Sequence, residues 1–202
     1  MTSLVPAAWK RRVEAVVIGA SAGGVQALLT LLSGLPASFG LPVVVLLHLP
    51  EGRHSQLAEI FQSRSCLPVR EAADKESIAP GTLYFAPPGY HLSIEADHSF
   101  SLSCEAPVHF SRPSIDVLME SAADAYGPHL AGVLLTGANS DGAAGLAKIK
   151  RHGGLTVVQN PAQAQAAAMP QAAIHQCPPD LILNLEDIRS LLLEMGTMHA
   201  ER

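Results

Sequence analysis

A chain of 202 residues, 48% hydrophobic and only 15% charged, has the apolar content for a single compact domain with a substantial core. Its formal net charge of −5, without a dense Lys/Arg run, excludes the basic footprint of a phosphate-backbone binder, so nucleic acid is not an expected partner. No apolar run approaches membrane-spanning length, and residues 1–12 lack the apolar centre of a signal peptide, which predicts a cytoplasmic protein without direct membrane insertion. Cys66, Cys104 and Cys177 are odd in number and widely spaced, with no C-x-x-C pair, and are expected to be reduced, buried thiols rather than metal ligands.

After an amino-terminal tail, 1–12, the organising stretch is Val13 to Gly24, V-E-A-V-V-I-G-A-S-A-G-G. A β-branched apolar run, a glycine-rich turn and the amphipathic segment Val25 to Leu32 predict a buried strand, a tight turn and a helix. Pro42 to Leu49 predicts a second buried strand with His48 at its carboxyl end. Pro50 to His54 is a loop, Ser55 a cap for a short helix to Gln62, and Leu67 to Arg70 a short strand. Between Ala79 and Cys104, short runs separated by turn residues predict an antiparallel hairpin insertion.

Ser114 to Tyr126 has helical spacing, Leu130 to Leu135 reads as a strand, and Ala143 to Arg151 as a helix ended by Gly153-Gly154. Leu155 to Val158 is a strand, Ala162 to Met169 an alanine-rich helix, Leu181 to Leu183 a short strand, and Glu186 to Met195 a closing helix before Gly196. The resulting expectation is a doubly wound α/β domain over 13–196. Its sheet is mainly parallel, with an antiparallel hairpin inserted and the active site at the carboxyl ends of the strands.

Gly19, Ser21 and Gly23 fit G-x-S-x-G, a strand-to-helix turn that presents a serine hydroxyl above the sheet edge. Two other readings stand beside it. A dinucleotide fingerprint needs glycine where Ser21 stands and an acidic residue closing the next strand, which instead closes on His48; a simple helix-capping serine needs nothing more.

The nucleophile reading requires a base and an acid. His48 and Asp141, the one ionisable residue in Thr136 to Gly142, fall at the carboxyl ends of predicted strands as Ser21 does. Imidazole can take the hydroxyl proton, and a carboxylate behind it fixes the tautomer and stabilises the imidazolium. Singly, His48 also reads as a packed strand-end histidine and Asp141-Gly142 as turn chemistry before a helix. The order Ser, His, Asp, with the elbow after the first strand, differs from the α/β-hydrolases.

The segments I-G-A-S-A-G-G, L-L-H-L-P, F-A-P-P-G-Y-H-L, R-P-S-I-D-V-L and L-T-G-A-N-S-D-G-A-A-G-L occur in the same order as in the CheB-type chemotaxis protein-glutamate methylesterases, whose catalytic domain the chain resembles from Val13 to about Ile174. The resemblance implies a hydrolase of glutamate methyl esters on methyl-accepting chemoreceptors that also deamidates receptor glutamines, with no cofactor. Ser21 would be the nucleophile, His48 the base and Asp141 its orienting acid, with backbone N–H groups near Ala22 and Ala138 as an oxyanion site.

The chain departs from the family at Ala22, usually threonine, at Ala138, usually methionine, and at Asn160-Pro161, where acidic residues are usual. These changes keep open a catalytically reduced module that binds receptors or signalling partners. Family members commonly carry a phosphorylatable receiver domain; Met1 to Arg12 is too short for one, so the expectation is either a stand-alone esterase or an excised domain, with any receiver supplied separately. Arg112 is read as a contact to an acidic receptor surface or a solvated loop arginine. His91 either lines the cleft or faces outward on the hairpin.

Overall fold

The structure, a computed structural model, describes residues 13–48 and 56–200, with side chains as far as 197. Its centre is β1 (Ala15–Ala20), whose six residues are all buried, as a parallel strand covered on both faces must be. Val16, Ile18 and Ala20 belong to one core with helix α1 (Gly24–Leu32), while Ala15 and Val17 belong to a second core on the opposite face. On one side of β1 lies β2 (Val43–Leu47), paired in parallel from Val16↔Val43 to Ala20↔Leu47. Beyond the short helix α2 (Leu57–Gln62) come β3 (Val69–Glu71) and β4 (Leu83–Phe85), which complete that half of the sheet in the order β3-β4-β2-β1.

One sequence expectation changes here. Leu83-Tyr84-Phe85 is not a hairpin strand but a parallel member of the main sheet, because three consecutive buried residues need cover on both faces. The antiparallel insertion consists of β5 (His91–Ile94) and β6 (Phe100–Ser103), in register from His91↔Ser103 to Ile94↔Phe100.

After helix α3 (Ile115–Tyr126) the chain crosses to the other side of β1 as β7 (Leu130–Leu134). Helix α4 (Ala143–Arg151), β8 (Leu155–Gln159), helix α5 (Ala168–Gln176), β9 (Leu181–Leu183) and helix α6 (Leu185–Ala200) follow. The seven strands run β3-β4-β2-β1-β7-β8-β9 and are all parallel. α1 and α6 pack on one face, and α3 and α4 on the other. The chain therefore leaves β1 toward one face and β7 toward the opposite one, which opens a crevice between their carboxyl ends.

The alanine-rich helix starts later than its composition suggests. Asn160 takes the N–H groups of Ala162, Gln163 and Ala164, and Ala166 bonds Gly137 and Thr136, so the segment is a tied turn and the helix begins only at Ala168. Nor does Gly196 end the last helix, which continues to Ala200. A β-carbon there would overlap the Phe39 ring, so the glycine serves packing. The cysteines are free but not buried: Cys66 and Cys104 are exposed and Cys177 is half-buried. The expected Ser55 cap and the loop Pro50 to His54 lie outside the described residues. Among the described residues no helix is long and apolar enough to cross a membrane.

Candidate active site

The first strand ends in a turn whose glycine is indispensable. Gly23 caps α1 at φ 80°, a left-handed conformation open to glycine at little cost, and Gly142 caps α4 in the same way at φ 94°. Both strand-to-helix turns at the crevice are thus built alike. Ser21 does not cap α1: the cap residue is Gly23, and no side chain bonds the helix start. Its backbone is held instead, with its N–H donating to Thr136 O at 2.9 Å and its carbonyl accepting from Gly24 N at 2.8 Å. Ser21 is half-buried, and among the described residues its hydroxyl makes no hydrogen bond.

Thr136 ties the elbow to the neighbouring loop. Its hydroxyl donates to Ala22 O at 2.8 Å and accepts from Ala166 N at 2.9 Å, while its own N–H donates to the buried Gln159 Oε1 at 2.9 Å. Thr136→Val keeps the shape and the bond to Gln159 but orphans Ala22 O and Ala166 N, so it is expected to lower the unfolding free energy by about 1–3 kcal/mol, read from urea midpoints.

His48 sits beside the elbow because its N–H donates to Ala20 O at 3.1 Å. Its ring Nε2 lies 2.9 Å from Asp141 Oδ2, and Asp141 is completely buried. Placing the proton on Nε2 lets the ring donate to the carboxylate and leaves Nδ1 as the nitrogen that can accept a proton. Among the described residues no hydrogen bond joins Ser21 to His48. What unites them is adjacency of strand ends, β2 beside β1 and β1 beside β7.

Asp141 is held by more than the imidazole. Ser114 Oγ donates to Oδ1 at 2.8 Å, Asp116 N to Oδ1 at 2.9 Å, and Ile115 N to Oδ2 at 2.7 Å. The carboxylate therefore caps α3 from a distant loop, which is why Ser114, the α3 cap residue, makes no side-chain cap of its own. Burial by itself would push the Asp141 carboxyl up. The bonds from His48, from the Asp116 and Ile115 N–H groups and from the Ser114 hydroxyl outweigh it and hold the group below its ordinary value.

Asp116 returns the arrangement. Its Oδ1 accepts Gly145 N at 2.7 Å in the first turn of α4, so a carboxylate of α3 caps α4 while one from the loop ahead of α4 caps α3. Burial, then repulsion from Asp141 and Glu120, push Asp116 up to about 6, against the Gly145 bond and the nearby His109. A carboxyl raised in the folded state contributes its stability below its ordinary value of 3.8 and loses it as pH rises through about 6. Asp116→Asn keeps an acceptor for Gly145 and removes the charge. It is expected to raise stability by on the order of 1 kcal/mol at about pH 8 and to leave it unchanged at about pH 3, by urea titration at both.

Two sequence expectations need correction. His91 neither lines the cleft nor faces outward: it is 2% exposed, with Nδ1 accepting Ser114 N and Nε2 facing Ala106 O, both at 3.2 Å. Hairpin alternation could not foresee this, because the loop after β6 folds over that face. Arg112 is not a free loop arginine, since Nη1 donates to Cys104 O at 3.1 Å and Glu105 O at 3.0 Å and so braces the loop. Ala22 and Ala138 are exposed, and among the described residues neither backbone N–H makes a hydrogen bond. Ser114 and Asp116 join the site although the sequence marks neither as a site residue; both lie in the R-P-S-I-D stretch.

The chain matches the family model described as CheB methylesterase over residues 16–192. It is 47% identical over 189 residues to a putative protein-glutamate methylesterase/protein-glutamine glutaminase of Leptospira interrogans, covering 94% of this chain and 98% of that protein. It is 33% identical to the protein-glutamate methylesterase/protein-glutamine glutaminase of Clostridium acetobutylicum, covering 91% of this chain but 53% of that one. The solved catalytic domain of Thermotoga maritima CheB methylesterase superposes with a TM-score of 0.86 at 34% identity, over 90% of this chain and 98% of that one. With an α/β sheet of matching architecture and a match across nearly its whole described length, the chain belongs to the CheB methylesterase family.

Proposed function

We propose that the protein is a serine hydrolase that cleaves methyl esters of glutamate side chains on methyl-accepting chemoreceptors in the cytoplasm and deamidates receptor glutamines at the same site. The observation that carries this reading is the pairing of half-buried His48 with fully buried Asp141 at the strand end next to Ser21. Ser21 Oγ attacks the ester carbonyl as His48 Nδ1 takes its proton, and the imidazolium is stabilised by Asp141. The same nitrogen then protonates departing methanol, or ammonia from an amide. Water, deprotonated by His48, attacks the acyl-serine, releasing the glutamate carboxyl group and restoring the serine hydroxyl.

The N–H groups of Ala22 and Ala138 are the donors assigned to the oxyanion. Alanine at both positions leaves those backbone donors in place, which favours turnover over a purely binding role. The test is labelling with a serine-reactive fluorophosphonate, followed by peptide mass mapping, alongside methanol release from a methylated receptor fragment. Modification confined to Ser21, with methanol release abolished in step, supports the reading. Methanol release that survives complete labelling of Ser21 overturns it.

A further inference from the structure

Outside the three groups assigned to chemistry, the buried imidazole of His91 is linked to them through Ser114, whose N–H bonds His91 and whose hydroxyl bonds Asp141. Resting on the hydrolase reading above, we propose that His91 is a positioning residue, which sets the acid of the triad through Ser114. From His91 Nδ1 the chain runs to Ser114 N at 3.2 Å, then from Ser114 Oγ to Asp141 Oδ1 at 2.8 Å, and from Asp141 Oδ2 to His48 Nε2 at 2.9 Å. His91, Ser114 and Asp141 are all buried.

The roles along this chain are dictated by the partners. An N–H must donate into Nδ1, and Ala106 O facing Nε2 can only accept, so a single neutral tautomer, with its proton on Nε2, satisfies both. That ring seats the peptide of Ser114, which lies extended at φ −108° and ψ 136° just ahead of α3. From this one seat come three of the donors on Asp141, namely the Ser114 hydroxyl and the N–H groups of Ile115 and Asp116. Moving the seat moves the carboxylate, and with it the ring of His48.

His91 is not needed merely to attach the hairpin. Ser121 Oγ of α3 accepts Ile94 N at 3.1 Å, and Leu92, Ile94, Leu118 and Ala122 form part of the same apolar core. Replacing His91 therefore perturbs the start of α3 more than the packing of β5 on it.

Two amide side chains separate the ring nitrogens. The amide of asparagine reaches the position of Nδ1 and that of glutamine the position of Nε2. His91→Gln, which leaves Ser114 N–H without its acceptor, is expected to lower kcat for methanol release from a methylated receptor fragment by up to about a hundredfold with KM unchanged. His91→Asn is expected to restore kcat to within about threefold of wild type, because the acceptor is replaced. The His48 Nε2–H proton resonance should shift in His91→Gln and remain in place in His91→Asn.

Equal kcat in the two variants, or a change in KM alone, overturns the proposal. Should His91→Gln fail to fold, Ser114→Ala, which deletes only the hydroxyl link, must reproduce the kcat-only loss; an unchanged kcat there overturns it as well. Ser21→Ala, assayed in parallel, separates the two levels. Activity surviving in that variant sinks the hydrolase reading itself, whereas its loss together with indifferent His91 and Ser114 variants sinks only the positioning role.

Discussion

Replacing Ser21 by alanine is expected to lower turnover of a methylated receptor by about a millionfold, the scale on which an essential member of a catalytic triad acts. The size follows from what is lost. Without the hydroxyl no acyl intermediate forms, and water would have to attack the ester directly from a site built around a serine. Folding should be untouched, because the Ser21 backbone, rather than its side chain, makes the bonds to Thr136 and Gly24 and α1 is capped by Gly23. Equal thermal midpoints with methanol release at background is the expected pair of results. Release within about tenfold of wild type would mean that the elbow is only a turn.

Asp141→Asn is expected to lower kcat by about ten-thousandfold. The carboxylate accepts from His48, Ser114, Ile115 and Asp116, and an amide has one accepting oxygen and one NH2 to offer in its place. Turned so that its NH2 faces Ile115 N and His48, it opposes donor to donor and favours the His48 tautomer with its proton on Nδ1, which then accepts nothing from Ser21. Turned the other way, its NH2 meets the Asp116 N–H, which cannot rotate. The loss should appear in kcat, together with a lower urea midpoint, because α3 loses part of its cap. Ring-nitrogen spectra of His48 give the direct check. An unchanged tautomer, with kcat within about tenfold of wild type, would remove Asp141 from the mechanism.

Elements whose signal lies within a single segment are legible in the sequence. β1 and β2 are uninterrupted apolar runs that only a two-faced parallel sheet can bury, and Gly23 at the start of α1 and Gly153 just past α4 mark helix ends. Leu83 to Phe85 reads as a hairpin strand because three residues are too few to distinguish alternation from a continuous apolar run. Ala162 to Met169 reads as a helix because alanine favours helices wherever nothing else claims the backbone. Here Asn160, Thr136 and Gly137 claim it.

By itself, the sequence determined where hydroxyl, imidazole and carboxylate stand along the chain: each follows a buried strand, and parallel strands deliver such ends to one edge. It also determined the family, through motifs occurring in a fixed order. Only the tertiary structure decided how those groups are held. The reciprocal capping of α3 and α4 by Asp141 and Asp116, the seat that His91 provides for Ser114, and the bracing by Arg112 of the loop after β6 all join residues remote in sequence. Periodicity reports which face of a segment is apolar. It carries no information about which distant N–H group will be left without a partner when two helix ends meet, and that unmet need is what selects the carboxylates and the buried imidazole found there.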